Sequence, residues 1–230
     1  MRSLRAVANR VLWRWGLRDV LPGYYVQRIP VRECDEPLEP IPTVPGRLLL
    51  DARLHQPHLA RRSVVGALCQ AAELLPEDVQ LLVVDAYRSL ARQQQLWSAT
   101  RAKIAGKHPL ATPCEVDRLT KLVVACPGSA GGGHQTGAAV DITLADAGGT
   151  EWWMGTGVGE FTAATPTRAP VTDTVRWRRE LLTRCLTDVG FINYPAEWWH
   201  FSMGDRLWAA YGRRPVAHFG PLPGRELPHE

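Results

Sequence analysis

Three short runs collect side chains that can do chemistry: HQTGAAVD at 134–141, EWWH at 197–200 and DAYRS at 85–89. His134, Asp141 and His200 offer two imidazoles and a carboxylate. A catalytic zinc ion usually takes three such protein ligands and keeps one position open for water. Glu197 is then not needed as a ligand. It can act as general base toward the metal-bound water, whose pKa zinc lowers from about 15.7 to about 7. Arg88 ends the run LLVVDAYR, and its guanidinium suits the negative oxygen of a tetrahedral hydrolytic intermediate. Losing one such donor typically costs ~10²–10³ in rate, or about 3 kcal/mol. Each residue alone has an ordinary reading: a satisfied His, a hydrogen-bonded Asp, a surface Glu, an Arg paired with Asp85. Their co-occurrence with a Gly-rich loop and an alternating strand favours one shared site.

The surrounding sequence says how these residues could meet. In AAVDITL, Asp141 shares a face with Ala139 and Thr143, while Val140, Ile142 and Leu144 take the other. That strand therefore has a site face and a core face. The turn-rich run CPGSAGGGHQTG (126–137) lets His134 fold back over the same metal. In a regular strand Glu197 and His200 would point to opposite faces, so EWWH needs a bend, which Pro195 favours. Residues 80–89 predict a buried strand, and Ser89 the N-cap of a helix to about Ile104. Helices are expected over 58–78, from the Thr112–Glu115 capping box to about Ala125, and over 175–190, where Gly190 stops the last. Short strands are expected around Tyr24–Val31 and Leu48–Asp51. With no regular βαβ alternation, the pattern predicts an α+β fold. Its core would be a small, mainly antiparallel sheet with helices packed on it and the zinc site on the sheet. Three regions follow: a basic N-terminal helix (1–22), a catalytic domain (23–212) and a Gly/Pro-rich tail (213–230).

Composition narrows the classes. The chain has 230 residues, 45% hydrophobic and 22% charged, which fits a globular domain and excludes a disordered one. A net charge of +4 does not demand a nucleic acid. No run approaches the roughly 18 to 20 apolar residues of a membrane helix, so no stable membrane insertion is expected. Arginines break up the N-terminal segment, which argues against a cleavable leader. Five Cys, with no C-x-x-C pair, point to reduced thiols and a cytoplasmic setting, the periplasm or cell surface being the alternative. Cys114 and Cys126 could pair in an exported protein. Two totals stand out: 9 Trp, and 27 basic residues of which only Lys103, Lys107 and Lys121 are Lys.

The ordered motifs resemble the D-alanyl-D-alanine dipeptidase family of zinc peptidases, which includes the vancomycin-resistance dipeptidase. Asp85-Ala-Tyr87-Arg88, the run from His134 to Leu144, Met154-Gly155-Thr156 and Glu197-Trp198-Trp199-His200 follow the family's order over about residues 20–205. The resemblance implies one Zn2+ per chain on His134, Asp141 and His200, Glu197 as catalytic acid/base and Arg88 as transition-state stabiliser. It implies D-Ala-D-Ala, or a closely related D-amino-acid dipeptide, as substrate. Two positions depart from the family pattern. Gly132 stands where Ser often lies near the substrate carboxylate, and Gly159 where an Asp helps hold the amino group, with Glu160 one residue on able to substitute. Tyr24 or Tyr25 is a further candidate substrate contact. Two other readings compete: a zinc D,D-carboxypeptidase or endopeptidase on cell-wall stem peptides, with an open groove, and a non-catalytic zinc-binding peptide-recognition module. Glu197 and Arg88 argue against the last, which needs neither a base nor an oxyanion donor. Of the paired tryptophans, one of Trp198 and Trp199 is expected on the site face and the other in the core. Trp152 and Trp153 are expected at the substrate rim.

Overall fold

A computed structural model describes residues 19–53, 57–127 and 132–222. Most of the proposed N-terminal helix and the last eight residues lie outside the described residues. The centre is a five-stranded sheet, ordered β2-β4-β5-β7-β6. Its strands are β2 (Leu48–Leu50), β4 (Val79–Asp85), β5 (Ala139–Asp146), β6 (Ile192–Asn193) and β7 (His200–Ser202). Only β2 and β4 run parallel; the other neighbours are antiparallel. A second pair joins β1 (Leu38–Pro40) to β3 (Leu59–Arg61). This is the α+β architecture and mainly antiparallel sheet expected.

Alternation along β5 decides what each face does. Val140, Ile142 and Leu144 join Leu81, Val83 and Phe201 in the core. Against that face pack helix α2 (Arg62–Glu73), through Val64, Leu68 and Ala71, and helix α5 (Asp173–Asp188), through Leu182, Cys185 and Leu186. Asp141 and Thr143 look the other way. Helix α3 (Leu90–Lys107) starts where Ser89 Oγ accepts the Arg92 N–H. Helix α4 (Pro113–Thr120) begins at the reciprocal Thr112–Glu115 capping box. It stops well short of Ala125, and turns occupy 121–123.

Two readings need correction. Residues 23–27 form a short helix, α1 (Gly23–Gln27), where a strand was expected. Pro22 sets an extended entry, and its carbonyl accepts from Tyr25 and Val26, closing a helical turn. The segment opening with His58 starts as β3 rather than as helix, because Leu59 to Arg61 pair with β1 before α2 begins. Residues 213–222 pack onto the body: Ala217 bridges Val31, Phe219 is buried, and Leu222 N–H donates to the Gln135 carbonyl. The last described helix is α6 (Arg206–Tyr211).

Candidate metal centre

Register places two of the candidate ligands. Asp141 of β5 and His200 of β7 are direct cross-strand partners, so their side chains share one face. His200 Nδ1 lies 3.0 Å from Asp141 Oδ1. His134 arrives from a 3₁₀ turn (Gly133–Thr136), its Nε2 3.3 Å from the same carboxylate oxygen. Gly137 ends that turn at φ +71°, a conformation that favours glycine, and a Cβ there would press on the Leu38 side chain. All three side chains are buried, with their donor atoms within 4.8 Å of one another. His134 Nδ1 sits 2.7 Å from the Ala86 carbonyl, a contact that orients the ring and points Nε2 at Asp141. Burial alone would raise the Asp141 pKa. His134 and then His200 outweigh it and hold the carboxyl below its usual range.

Glu197 belongs to the turn before β7 rather than to the strand. Its N–H donates to Tyr194 and its carbonyl accepts from His200, while Asn193 Nδ2 donates to the carbonyls of Glu197, Trp198 and His200. The expected bend is therefore present, and Glu197 and His200 line the same cavity. Burial pushes the Glu197 carboxyl up to about 7. Asp141 adds to the rise, while His200 and Arg88 oppose it.

Arg88 enters from beyond β4. A bulge between Val83 and Asp85 brings Asp85 opposite Asp141. The chain then leaves the strand, so Asp85 and Arg88 do not diverge: Arg88 Nη2 lies 2.7 Å from Asp85 Oδ2. It also stands 4.0 Å from Asp141 Oδ2. Gln93 Oε1 accepts from Arg88 Nη1 at 3.0 Å, and the Arg88 N–H donates to the His134 carbonyl at 3.0 Å.

The remaining candidates separate. Glu160 lines the cavity, and its carboxylate accepts the Gly157 N–H at 3.0 Å. Tyr24 and Tyr25 are 66% and 48% exposed and lie outside the cavity lining. Gly132 approaches Ala125 so closely that an added Cβ would sit 2.8 Å from its methyl group, so a serine there would force the two segments apart. Trp198 and Trp199 are both buried in the core, so the expected split is not clean: Trp199 also lines the cavity, edge-on to Phe161, and Trp198 donates to Thr156 Oγ1 at 2.8 Å. Trp152 and Trp153 are not at the substrate rim: Trp152 packs on Trp177 and Arg178 of α5, and Trp153 is exposed outside the cavity.

Three supporting residues escaped the sequence reading. Buried Gln93 also donates to the Ala125 carbonyl at 2.7 Å, joining Arg88 to the far wall. Arg61, 1% exposed, donates to the Thr136 carbonyl at 2.8 Å and so holds the His134 turn. Arg179 is equally buried and serves the carbonyls of Met154, Ala164 and Pro166. Gln93 had one sequence signal, its place one turn into the helix capped by Ser89. For the two arginines the sequence carries none, since their acceptors are remote in sequence: backbone carbonyls for both, and the Glu33 carboxylate as well for Arg61.

Residues 46–219 match the profile of a family described as D-ala-D-ala dipeptidase. A D-alanyl-D-alanine dipeptidase of Synechocystis sp. is 34% identical over 225 residues, covering 83% of this chain and 91% of the relative. One of Escherichia coli (strain K12) is 29% identical over 147 residues, covering 63% and 66%. A solved structure of the LdcB LD-carboxypeptidase aligns with TM-score 0.47 and 18% identity over 80% of this chain and 76% of that one.

Proposed function

The chain belongs to the D-Ala-D-Ala dipeptidase family of peptidases, and from that membership we propose that it is a zinc-dependent hydrolase of D-Ala-D-Ala or a closely related D-amino-acid dipeptide. The convergence of His134 Nε2, Asp141 Oδ1 and His200 Nδ1 carries the reading. Two imidazole nitrogens and one carboxylate oxygen, buried together, suit a catalytic zinc site. Bound there, the ion supplies Lewis acidity, which polarises a carbonyl and acidifies water near neutral pH.

The chain's own residues do the rest. Glu197 takes a proton from the attacking water and returns it to the leaving amine, a role suited to a carboxyl whose pKa lies near 7. Arg88 faces the oxygen on which negative charge develops, its guanidinium held in place by Asp85 and Gln93. Glu160 offers a carboxylate for the substrate ammonium at the rim. A cytoplasmic setting fits the cysteine pattern. No helix among the described residues is long and apolar enough to cross a membrane.

A D,D-carboxypeptidase acting on stem peptides is the second reading. The cavity favours it: at about 1070 Å³ it exceeds what a dipeptide fills. Purified protein assayed on D-Ala-D-Ala, D-Ala-D-Lac, L-Ala-D-Ala and a stem pentapeptide, with and without chelator, decides. Chelator-sensitive release of D-Ala from the dipeptide is expected. Turnover of the pentapeptide alone would overturn the dipeptidase reading in favour of the second.

A further inference from the structure

All three lysines of a chain otherwise so rich in arginine line one arm of the cavity. Lys103 and Lys107 lie four apart on α3, one turn from each other on the same face. Lys121 follows α4 on the opposite wall. Among the described residues none of the three has an ion-pair partner, although Arg101 and Asp117, between the same two helices, pair at 2.6 Å. The helix offering this face is sparsely covered: of its 18 residues only Gln93 is buried. Leu96 and Ile104 are half-buried and floor the arm.

Distance separates Lys103 and Lys107 from the reacting groups, while Lys121, four residues before Ala125, lies nearer to Gln93. Gln93 contacts Arg88, and at 1.5 Å per residue Lys103 and Lys107 lie about 15 and 21 Å further along the helix. An extended dipeptide spans about 7 Å, so one held at the metal cannot reach them. A peptide of about four to six residues can.

We infer that the Lys103–Lys107–Lys121 arm is an anion-binding subsite, which holds the carboxylate or phosphate group at the far end of a longer peptide whose D,D-terminus lies at the metal centre. The inference rests on the reading of that centre as hydrolytic. Charge complementarity and continuity with the site select this occupant. The chain's own first 18 residues carry five arginines and no acid, so their charge does not match the arm.

The test compares the zinc-loaded protein with its Lys103→Ala/Lys107→Ala/Lys121→Ala variant, both checked by circular dichroism and metal content. Three pentapeptides ending in D-Ala-D-Ala are used: neutral, with two glutamates at the N-terminal end, and with a phosphate there. In the parent, the acidic peptides are expected to show kcat/KM about tenfold above the neutral one at low salt, mostly through KM, with the gap closing at high salt. The triple variant should lose that ratio. The two acidic peptides together show whether carboxylate, phosphate or both are accepted. Fluorescence anisotropy of the labelled peptides reads binding without turnover. Lysine-dependent binding with no hydrolysis would keep the subsite and sink the hydrolytic reading. Hydrolysis without discrimination between acidic and neutral peptides would do the reverse. Equal binding of a single-stranded oligonucleotide of matched charge would overturn the peptide assignment.

Discussion

Glu197 and Asp141 share one cavity, yet their surroundings push them in opposite directions. Two imidazoles hold Asp141 ionised, which suits its proposed place as a metal ligand, while burial keeps Glu197 near neutrality, which suits its proposed place as a proton carrier. Glu197→Gln should keep the metal and lower kcat by about 10²–10⁴, measured beside elemental analysis; full activity would sink the general-base role. His200→Ala should instead lose metal occupancy. The raised Glu197 value also has a stability sign. A carboxyl with a higher pKa folded than unfolded binds more protons when folded, so its contribution is present below about 4.5 and lost as pH rises through about 7. Glu197→Gln should therefore stabilise the metal-free protein by about 1–3 kcal/mol at pH 8, with little gain at pH 4, in paired urea titrations. A bound dication draws the carboxyl back down, so the acid limb of kcat/KM for the loaded enzyme should fall at or below pH 7.

At the scale of elements, strand register places Asp141 and His200, and departures from regular structure place the other candidates: the bulge in β4 for Arg88, the 3₁₀ turn before β5 for His134 and the turn before β7 for Glu197. The grouping of the candidate ligands was legible because residue type, strand alternation and a Gly-rich approach converge on it. The strand at 24–31 was misread because apolar residues over a short span fit either period, and a proline-led turn decided. Trp152 and Trp153 were misplaced because adjacency to Met154-Gly155-Thr156 says nothing about which way an indole turns. Arg61 was invisible, since an arginine that satisfies remote carbonyls leaves no spacing to read. It now yields a prediction. Arg61→Met should strand the Thr136 carbonyl and cost about 3 kcal/mol or more in thermal stability, with weaker metal retention than in the parent. Gly137→Ala should act on the same turn through strain and the clash with Leu38, costing about 1–3 kcal/mol.

At the scale of the molecule, the core lies under one face of the sheet and the chemistry over the other. Metal binding to the folded chain alone should raise its stability by mass action, about 2.7 kcal/mol at one hundred times Kd. A chelator should lower Tm by several degrees, and a Tm indifferent to zinc would argue against a preformed site. The Arg88 N–H bond to the His134 carbonyl and the His134 contact with Ala86 join the proposed ligand to the proposed oxyanion donor. The loop carrying Glu160 and Phe161 reaches the site only from the rim and is pinned from behind by Arg179. On the proposed roles, reactivity and selectivity would reside in parts that can be exchanged separately. A graft of residues 157–163 from a relative should change which peptide is cut while leaving the pH profile and metal affinity of the parent.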